Sequence, residues 1–572
     1  MTVLLLALMG TLQVTTAWQE TQTYDEGAHL AAGYSYLKTG DYRMNAEHPP
    51  LAKLLAGAVL LPLKPRVPLE EKSWKAVDQY EFGSVFLYRN RVPAERMLFH
   101  ARCVTILLTL VLGLAVAVWA RRHFGTSVAL LAVLLFALDP NFIAHGHYVT
   151  NDLHLALFVF LGCVSWGAFL AKGWRRDLLW AGVAAGLALL SKFSGVLLFP
   201  IFVVLYAVAW WQQGRRTAGE NAVLKRLSLG HLLGSLLVVS AVSVVMIALA
   251  YAPETRSQIA RDTSLSTPPV LGGAQVTPAG KALYQAGQFV NLPVTTWLRG
   301  LEYQWRHNER GHPAYLLGKT SDYGWWYYFP IVLAVKTPTA VLVLVVLCVL
   351  LTAPLLFRWS PLSLLRELRR LPLEWFVLLV PMSACFAVAM MSKINIGVRH
   401  ILPVYPFLFI LVAAIVLRAR WGRLRRVLSF VLCSVVLLEV GESAMVYPHY
   451  LAFFNSVSGG PGNGSTYLVD SNLDWGQDLR RLRDWRQAHG NPPLCLAYFG
   501  SADRAYYGLP AKELPPTWDT ESRSYQDCIA AVSVTFLKDV YVKPGYFQWL
   551  REMQPMGRVG YSIYLYDLRK RK

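Results

Sequence analysis

Long apolar blocks alternate with polar stretches along this chain. The blocks cover about 2–18, 98–120, 126–143, 152–171, 178–190, 194–212, 231–251, 327–352, 374–391, 401–418 and 427–446. A helix needs about 20 apolar residues to cross a hydrocarbon layer about 30 Å thick. The pattern therefore predicts an α-helical polytopic membrane protein with about eleven transmembrane helices. Ser191-Lys192-Phe193 barely separates the fifth block from the sixth, and the two read equally as one broken helix. The first block has no basic run ahead of it and no clear small-residue cleavage site, so it is read as a retained helix rather than a signal peptide.

Three long segments of mixed polarity lie between and after the blocks: 19–97, 252–326 and 447–572. In the first, Glu26 to Leu37 is amphipathic. Pro50 to Leu61 opens on a proline, which suits the first turn of a helix, and then runs apolar. Both read as interfacial helices. The last segment has strand-like runs at Leu494–Phe499, Ala530–Phe536 and Tyr561–Tyr566 and a helix-like Asp478–His489. It reads as a small α/β domain. The expected division is a membrane domain over 1–446 and a C-terminal domain over 447–572.

Composition agrees with a membrane chain. Hydrophobic residues make up 55% and charged residues 16% of the 572, against about 25% charged in soluble domains. A net charge of +20 raises the question of nucleic acid, and its distribution answers it. The short loops 121–125, 172–177, 212–230, 358–370 and 418–426 hold 18 Lys or Arg and three acids, Asp177, Glu220 and Glu367. All five fall on one side of the predicted topology, which is the positive-inside pattern. No nucleic-acid partner is expected. The N-terminus is placed in the cytoplasm, and the three long segments are placed outside a plasma (inner) membrane. Five of the seven cysteines lie in apolar blocks. Cys495 and Cys528 fall in the C-terminal segment, where an oxidising location permits a disulfide.

Ionisable residues at the outer ends of the blocks carry the candidate chemistry. Asp25-Glu26 follows the first helix, and a carboxylate there serves as a general base on a hydroxyl, helps bind a divalent cation, or simply caps the next helix. No zinc-type cysteine spacing is present. Glu47-His48-Pro49-Pro50 is stiffened by two prolines and suits either a helix start or a fixed binding point. Asp152 enters an apolar stretch, where an ionisable group is costly unless paired or functional. His145 and His147 share its short connection. The outer cations Arg102, Lys192, Lys336, Lys393 and Arg399, with His400, run against the positive-inside trend. A lipid phosphate would account for several at once, and snorkelling or pairing with the nearby acids would account for any one.

These segments together resemble a known family. Asp25-Glu26, Glu47-His48-Pro49-Pro50-Leu51, His145 to Asp152, Leu189 to Phe193, Gly311 to Pro338, Gly397 to Pro406 and Asp470 to Asp478 occur in the order seen in bacterial relatives of the dolichyl-phosphate-mannose protein mannosyltransferases. That family has the C-type membrane glycosyltransferase fold and is related to the lipid A aminoarabinose transferases. One departure is His48, where the aminoarabinose transferases have Lys. The resemblance implies a polyprenyl-phosphate-linked sugar donor and a protein, lipid or glycan acceptor. It implies catalytic acids at Asp25, Glu26 and Asp152, with Asp25 the base. Arg102, Lys192, Lys336 and Arg399 would hold the carrier phosphate, with Glu47, His48 and His400 in support. The implied reaction is one inverting displacement. A transporter or flippase of lipid-linked sugar fits the helix count equally, but transporters keep polar groups near the midplane, whereas these gather at the rim.

Overall fold

The structure is a computed structural model that describes residues 1–213, 227–260, 293–358, 360–419, 421–422, 425–515 and 527–570. Most of the basic loop 212–230, much of the segment 252–326 and part of the loop 418–426 lie outside the described residues. Every predicted block contains a helix. By length and apolarity, however, eight helices among the described residues can cross a membrane, or nine if one bent pair counts as a single span. The expected eleven is not reached, for reasons visible in the chain. The block 126–143 ends at Leu138 because Asp139 and Pro140 begin a separate short helix, Pro140–His145. The Asp139 side chain accepts the amide N–H groups of Asn141 and Phe142 there, an N-cap on a proline-led turn. The block 178–190 is a helix from Arg175 to Ser191, with charged residues in its first turn.

The block 327–352 is two helices, Tyr328–Lys336 and Thr339–Arg358, bent by 113° at Lys336-Thr337-Pro338. Pro338 has no N–H to continue the ladder and disfavours the helical conformation at Thr337. Thr337 is accordingly extended.

The first long segment departs from the interfacial expectation. Glu26–Thr39 is helical, but its residues from Glu26 to Tyr36 are all buried. It packs against the helix Leu51–Ala58, and Gly33 makes that contact possible: a Cβ there would lie 1.8 Å from the Lys53 carbonyl oxygen. Two backbones meeting this closely exclude any larger residue.

The C-terminal segment forms the expected α/β unit. Its helix spans Leu479–Ala488. A small hairpin earlier in the chain supplies β1 (Ala314–Leu316) and β2 (Lys319–Ser321). The C-terminal strands are β3 (Leu494–Ala497), β4 (Ala511–Glu513), β5 (Ile529–Ser533), β6 (Gly557–Val559) and β7 (Ile563–Asp567). They form one sheet in the order β4-β3-β5-β7-β6. β3 runs parallel to β4 and β5, and β7 antiparallel to β5 and β6. Cys495 on β3 is bonded to Cys528, just before β5. The buried core of the helices continues without a break into this unit through Tyr450, Phe453, Trp475 and Phe499.

Candidate active site

Four of the predicted charges meet where helix ends converge. Asp25 precedes the helix Glu26–Thr39, yet its side chain makes no cap hydrogen bond. Instead Arg399 Nη1 donates to Asp25 Oδ2 at 3.1 Å. The same nitrogen lies 3.8 Å from Asp152 Oδ2. Lys192 Nζ donates to the other oxygen, Asp152 Oδ1, at 2.6 Å. The result is a chain of alternating charge, Asp25–Arg399–Asp152–Lys192. Arg399 also lies over the Trp475 ring, 4.3 Å from its centre, and its Nε–H has no hydrogen-bond partner among the described residues. Two acids and two bases balance, and the Arg399 side chain keeps 11% of its surface exposed.

Arg102 is placed differently from its expected role. Its five N–H groups all go to protein oxygens: Nε and Nη2 to the two Glu26 carboxylate oxygens (2.9 and 2.6 Å), Nη1 to the carbonyls of Ala17 and Glu20, and Nη2 to that of Thr21. Glu26 is equally committed, accepting the backbone N–H groups of Thr23 and Val149 as well. Burial works to raise the Glu26 pKa, and Arg102 with these two amides outweighs it and holds the carboxyl below its ordinary value. Arg102–Glu26 is a buried clasp. It ties the end of the first helix to the connection carrying Val149, and so places Asp25 and Asp152 relative to each other.

Lys336 is likewise saturated. Its ammonium donates to the carbonyls of Leu451, Phe453 and Asn472 at 3.0, 2.5 and 2.8 Å. Asn472 in turn accepts the Val398 N–H at 3.0 Å, and Ser471 Oγ donates to the Ile396 carbonyl at 2.5 Å. All three Lys336 N–H groups are thus used inside the protein, and Asn472 links them to Val398, the neighbour of Arg399 in the chain. Lys393 pairs with Glu309 at the surface.

The supporting residues flank the charge chain. Glu47 accepts from Gln79 Nε2 at 2.8 Å. Burial, with Asp25 nearby, raises its pKa against the opposing effects of Gln79 and Lys53. His48 meets His29 edge to face at 5.4 Å. Lost hydration, then His29 and Lys53, keep the His48 imidazole neutral, well below its ordinary pKa. Its own carbonyl and that of Asn45 ahead of it are anchored by Lys53, whose Nζ donates to both. Burial brings the Lys53 pKa down to about 7. His400 stacks on Phe329 at 6.2 Å and lies within electrostatic reach of Asp152.

Sequence reasoning missed Asp470, Trp475, Tyr541 and His312. The run Asp470 to Asp478 entered only as a motif, and nothing local marks its first acid as a neighbour of Arg399. Asp470 is 7% exposed and accepts from Tyr541 Oη and from the Ser471 N–H, each at 2.5 Å. Burial raises its pKa to about 6, with Tyr541 and Arg399 opposing and Asp25 reinforcing. Among the described residues no group of three or more His, Cys, Asp or Glu is arranged to hold a metal ion.

Helices and site together define a multi-pass membrane protein with a largely buried chain of paired charges, Asp25, Arg399, Asp152 and Lys192, where helix ends meet. Residues 3–257 match the dolichyl-phosphate-mannose-protein mannosyltransferase family, which bears out the resemblance read from the motifs. Dolichyl-phosphate-mannose–protein mannosyltransferase 1 of Candida albicans is 28% identical over 170 residues, 28% of this chain. The chain spans 17% of that relative's length. Among solved structures, ArnT from Cupriavidus metallidurans bound to undecaprenyl phosphate aligns with a TM-score of 0.44 at 15% identity, covering 98% of this chain and 97% of that one. The Saccharomyces cerevisiae protein O-mannosyltransferase Pmt1–Pmt2 complex bound to the sugar donor aligns with a TM-score of 0.46 at 11% identity, covering 90% and 95%.

Proposed function

We propose that this protein is a membrane glycosyltransferase that moves a sugar from a polyprenyl-phosphate carrier to an acceptor hydroxyl on a protein, lipid or glycan. The observation that carries the reading is Asp25: a partly exposed carboxylate at a helix start that caps nothing and faces a partly exposed arginine. Asp25 takes the hydroxyl proton while the acceptor oxygen attacks the anomeric carbon. The bond from that carbon to the phosphate oxygen breaks on the opposite face, so configuration inverts. Arg399 and Lys192 stabilise the charge that develops on the leaving phosphate, the kind of preorganised electrostatic contribution that usually dominates such sites. Asp152 holds both cations in place. Arg102, Glu26 and Lys336 are positioning residues.

The reaction is assigned to the extracytoplasmic face of the plasma (inner) membrane. The N-terminus is then cytoplasmic, and residues 447–572 form an outer domain on the membrane domain 1–446. The basic loops support this assignment.

The test is transfer by purified protein in liposomes holding a polyprenyl-phosphate-linked sugar. Arg399→Ala should lower turnover by about 10²-fold or more and weaken binding of the bare polyprenyl phosphate, because it removes a phosphate contact and frees Asp25 and Asp152 to repel. Unchanged turnover and unchanged lipid binding would refute the assignment.

A further inference from the structure

We propose that Asp470, Tyr541, His312 and His307 form a proton relay that clears the acceptor's proton from the site after transfer. The proposal rests on the reaction above and deepens it. Three segments distant in sequence converge to build it. Tyr541 Oη bonds Asp470 Oδ2 at 2.5 Å. His312 Nε2 bonds Tyr541 Oη at 2.9 Å. His307 Nε2 and His312 Nδ1 are 3.3 Å apart. Asp470 is buried, His312 and His307 are half-buried and Tyr541 is 38% exposed, so the chain opens to solvent from Tyr541 outward.

The proton balance closes. Asp25 takes the hydroxyl proton and passes it on toward Asp470, which lies within electrostatic reach of both Asp25 and Arg399. Protonated Asp470 gives its proton to Tyr541 Oη as the Tyr541 proton passes to His312 Nε2. The His312 Nδ1 proton passes to His307 Nε2, and His307 releases its other ring proton to water. Asp470 ends ionised, both imidazoles and the phenol end neutral, and one proton has left. Each link can donate or accept, because hydroxyls rotate and a neutral imidazole has two tautomers.

Two further observations fit a relay better than a structural tie. Asp470 and Tyr541 both have left-handed backbones, with φ of 58° and 63°. Residues other than glycine adopt that conformation at a cost, and such strain gathers at functional sites. The Tyr541 ring is already held by stacking on Phe499, 5.2 Å between centres and 11° between planes. Its orientation therefore does not need the hydroxyl. The charges also suit proton movement. Asp470, with a pKa of about 6, changes state near neutral pH. His312 is kept neutral, its pKa lowered to about 4 by burial, then by His307 and Arg399. The other titratable groups in electrostatic reach of Asp470 are Asp25, Asp474, Tyr24 and Tyr328.

The experiment is sugar transfer by the full-length protein in liposomes, with Tyr541→Phe and His312→Gln beside wild type. Tyr541→Phe keeps the stacked ring and removes only the bonding oxygen. Turnover should fall about tenfold in both variants with the donor KM unchanged. Millimolar imidazole in the buffer should restore it in both and leave wild type unaffected. In wild type, turnover should rise with pH through about 6 as Asp470 ionises, and Asp470→Asn should remove that limb. Wild-type turnover in Tyr541→Phe, or a loss that imidazole does not repair in either variant, overturns the relay while leaving the transferase standing. No transfer by wild type itself would overturn both.

Discussion

Arg102 and Arg399 look alike in the sequence, each an arginine near the outer end of an apolar block, and their surroundings give them different duties. All five N–H groups of Arg102 are used inside the protein, in a pair with Glu26 whose side chains are 1% and 0% exposed. Removing one partner of a buried ion pair leaves the other charge stranded, typically at a cost of about 3–5 kcal/mol. Arg102→Ala should therefore lower unfolding stability in detergent by that order. Arg102→Lys should recover little, since an ammonium cannot match the guanidinium fork. A stable Arg102→Ala protein with weakened donor binding would instead return Arg102 to the phosphate site. Asp152 was legible in the sequence as an ionisable group in an apolar stretch, Lys192 and Arg399 as cations against the positive-inside trend, and Asp25 as one of two adjacent acids after the first helix. Which cation would be free was not legible, because that depends on carbonyls brought in from elsewhere: Ala17, Glu20 and Thr21 for Arg102, and Leu451, Phe453 and Asn472 for Lys336. Asp470 was missed for the same reason.

Apolar blocks marked the helices well, and proline marked where they break. Pro140 and Pro338 each interrupt a block that composition alone would run through, and each break puts a polar group, Asp139 or Lys336, at a helix end. The strands β3, β5 and β7 were legible as apolar runs because they form the middle of the sheet, where both faces are covered. β4 and β6 are the edges, three residues each and largely exposed. Short polar edges carry little hydrophobic signal, and they also resist pairing with other chains. The helix Glu26–Thr39 was misread as interfacial because its contacts, with Leu51–Ala58 and Gln79–Tyr88, come from elements beyond it in the chain. Gly33 and Gly57, which let the backbones meet, have no hydrophobic signature.

At the scale of the molecule, the account requires the C-terminal unit and the charge chain to face away from the cytoplasm. In a background without the five free cysteines, a membrane-impermeant thiol reagent applied to intact cells should label Val457→Cys, which is 75% exposed, and should not label Arg122→Cys at the basic end of the helix Ala94–Phe124. The opposite pattern would invert the topology and remove the lipid-linked donor from reach of the site. The most direct test of the central claim is the transfer rate of Asp25→Asn against wild type, with folding measured on the same samples. Asn and Asp cap helices about equally well, and Asp25 caps nothing here, so thermal stability should stay near wild type. Loss of a general base typically costs about 10²–10⁴-fold in rate, and sugar transfer should fall within or below that range. A folded Asp25→Asn protein that transfers sugar at more than about half the wild-type rate would contradict the account.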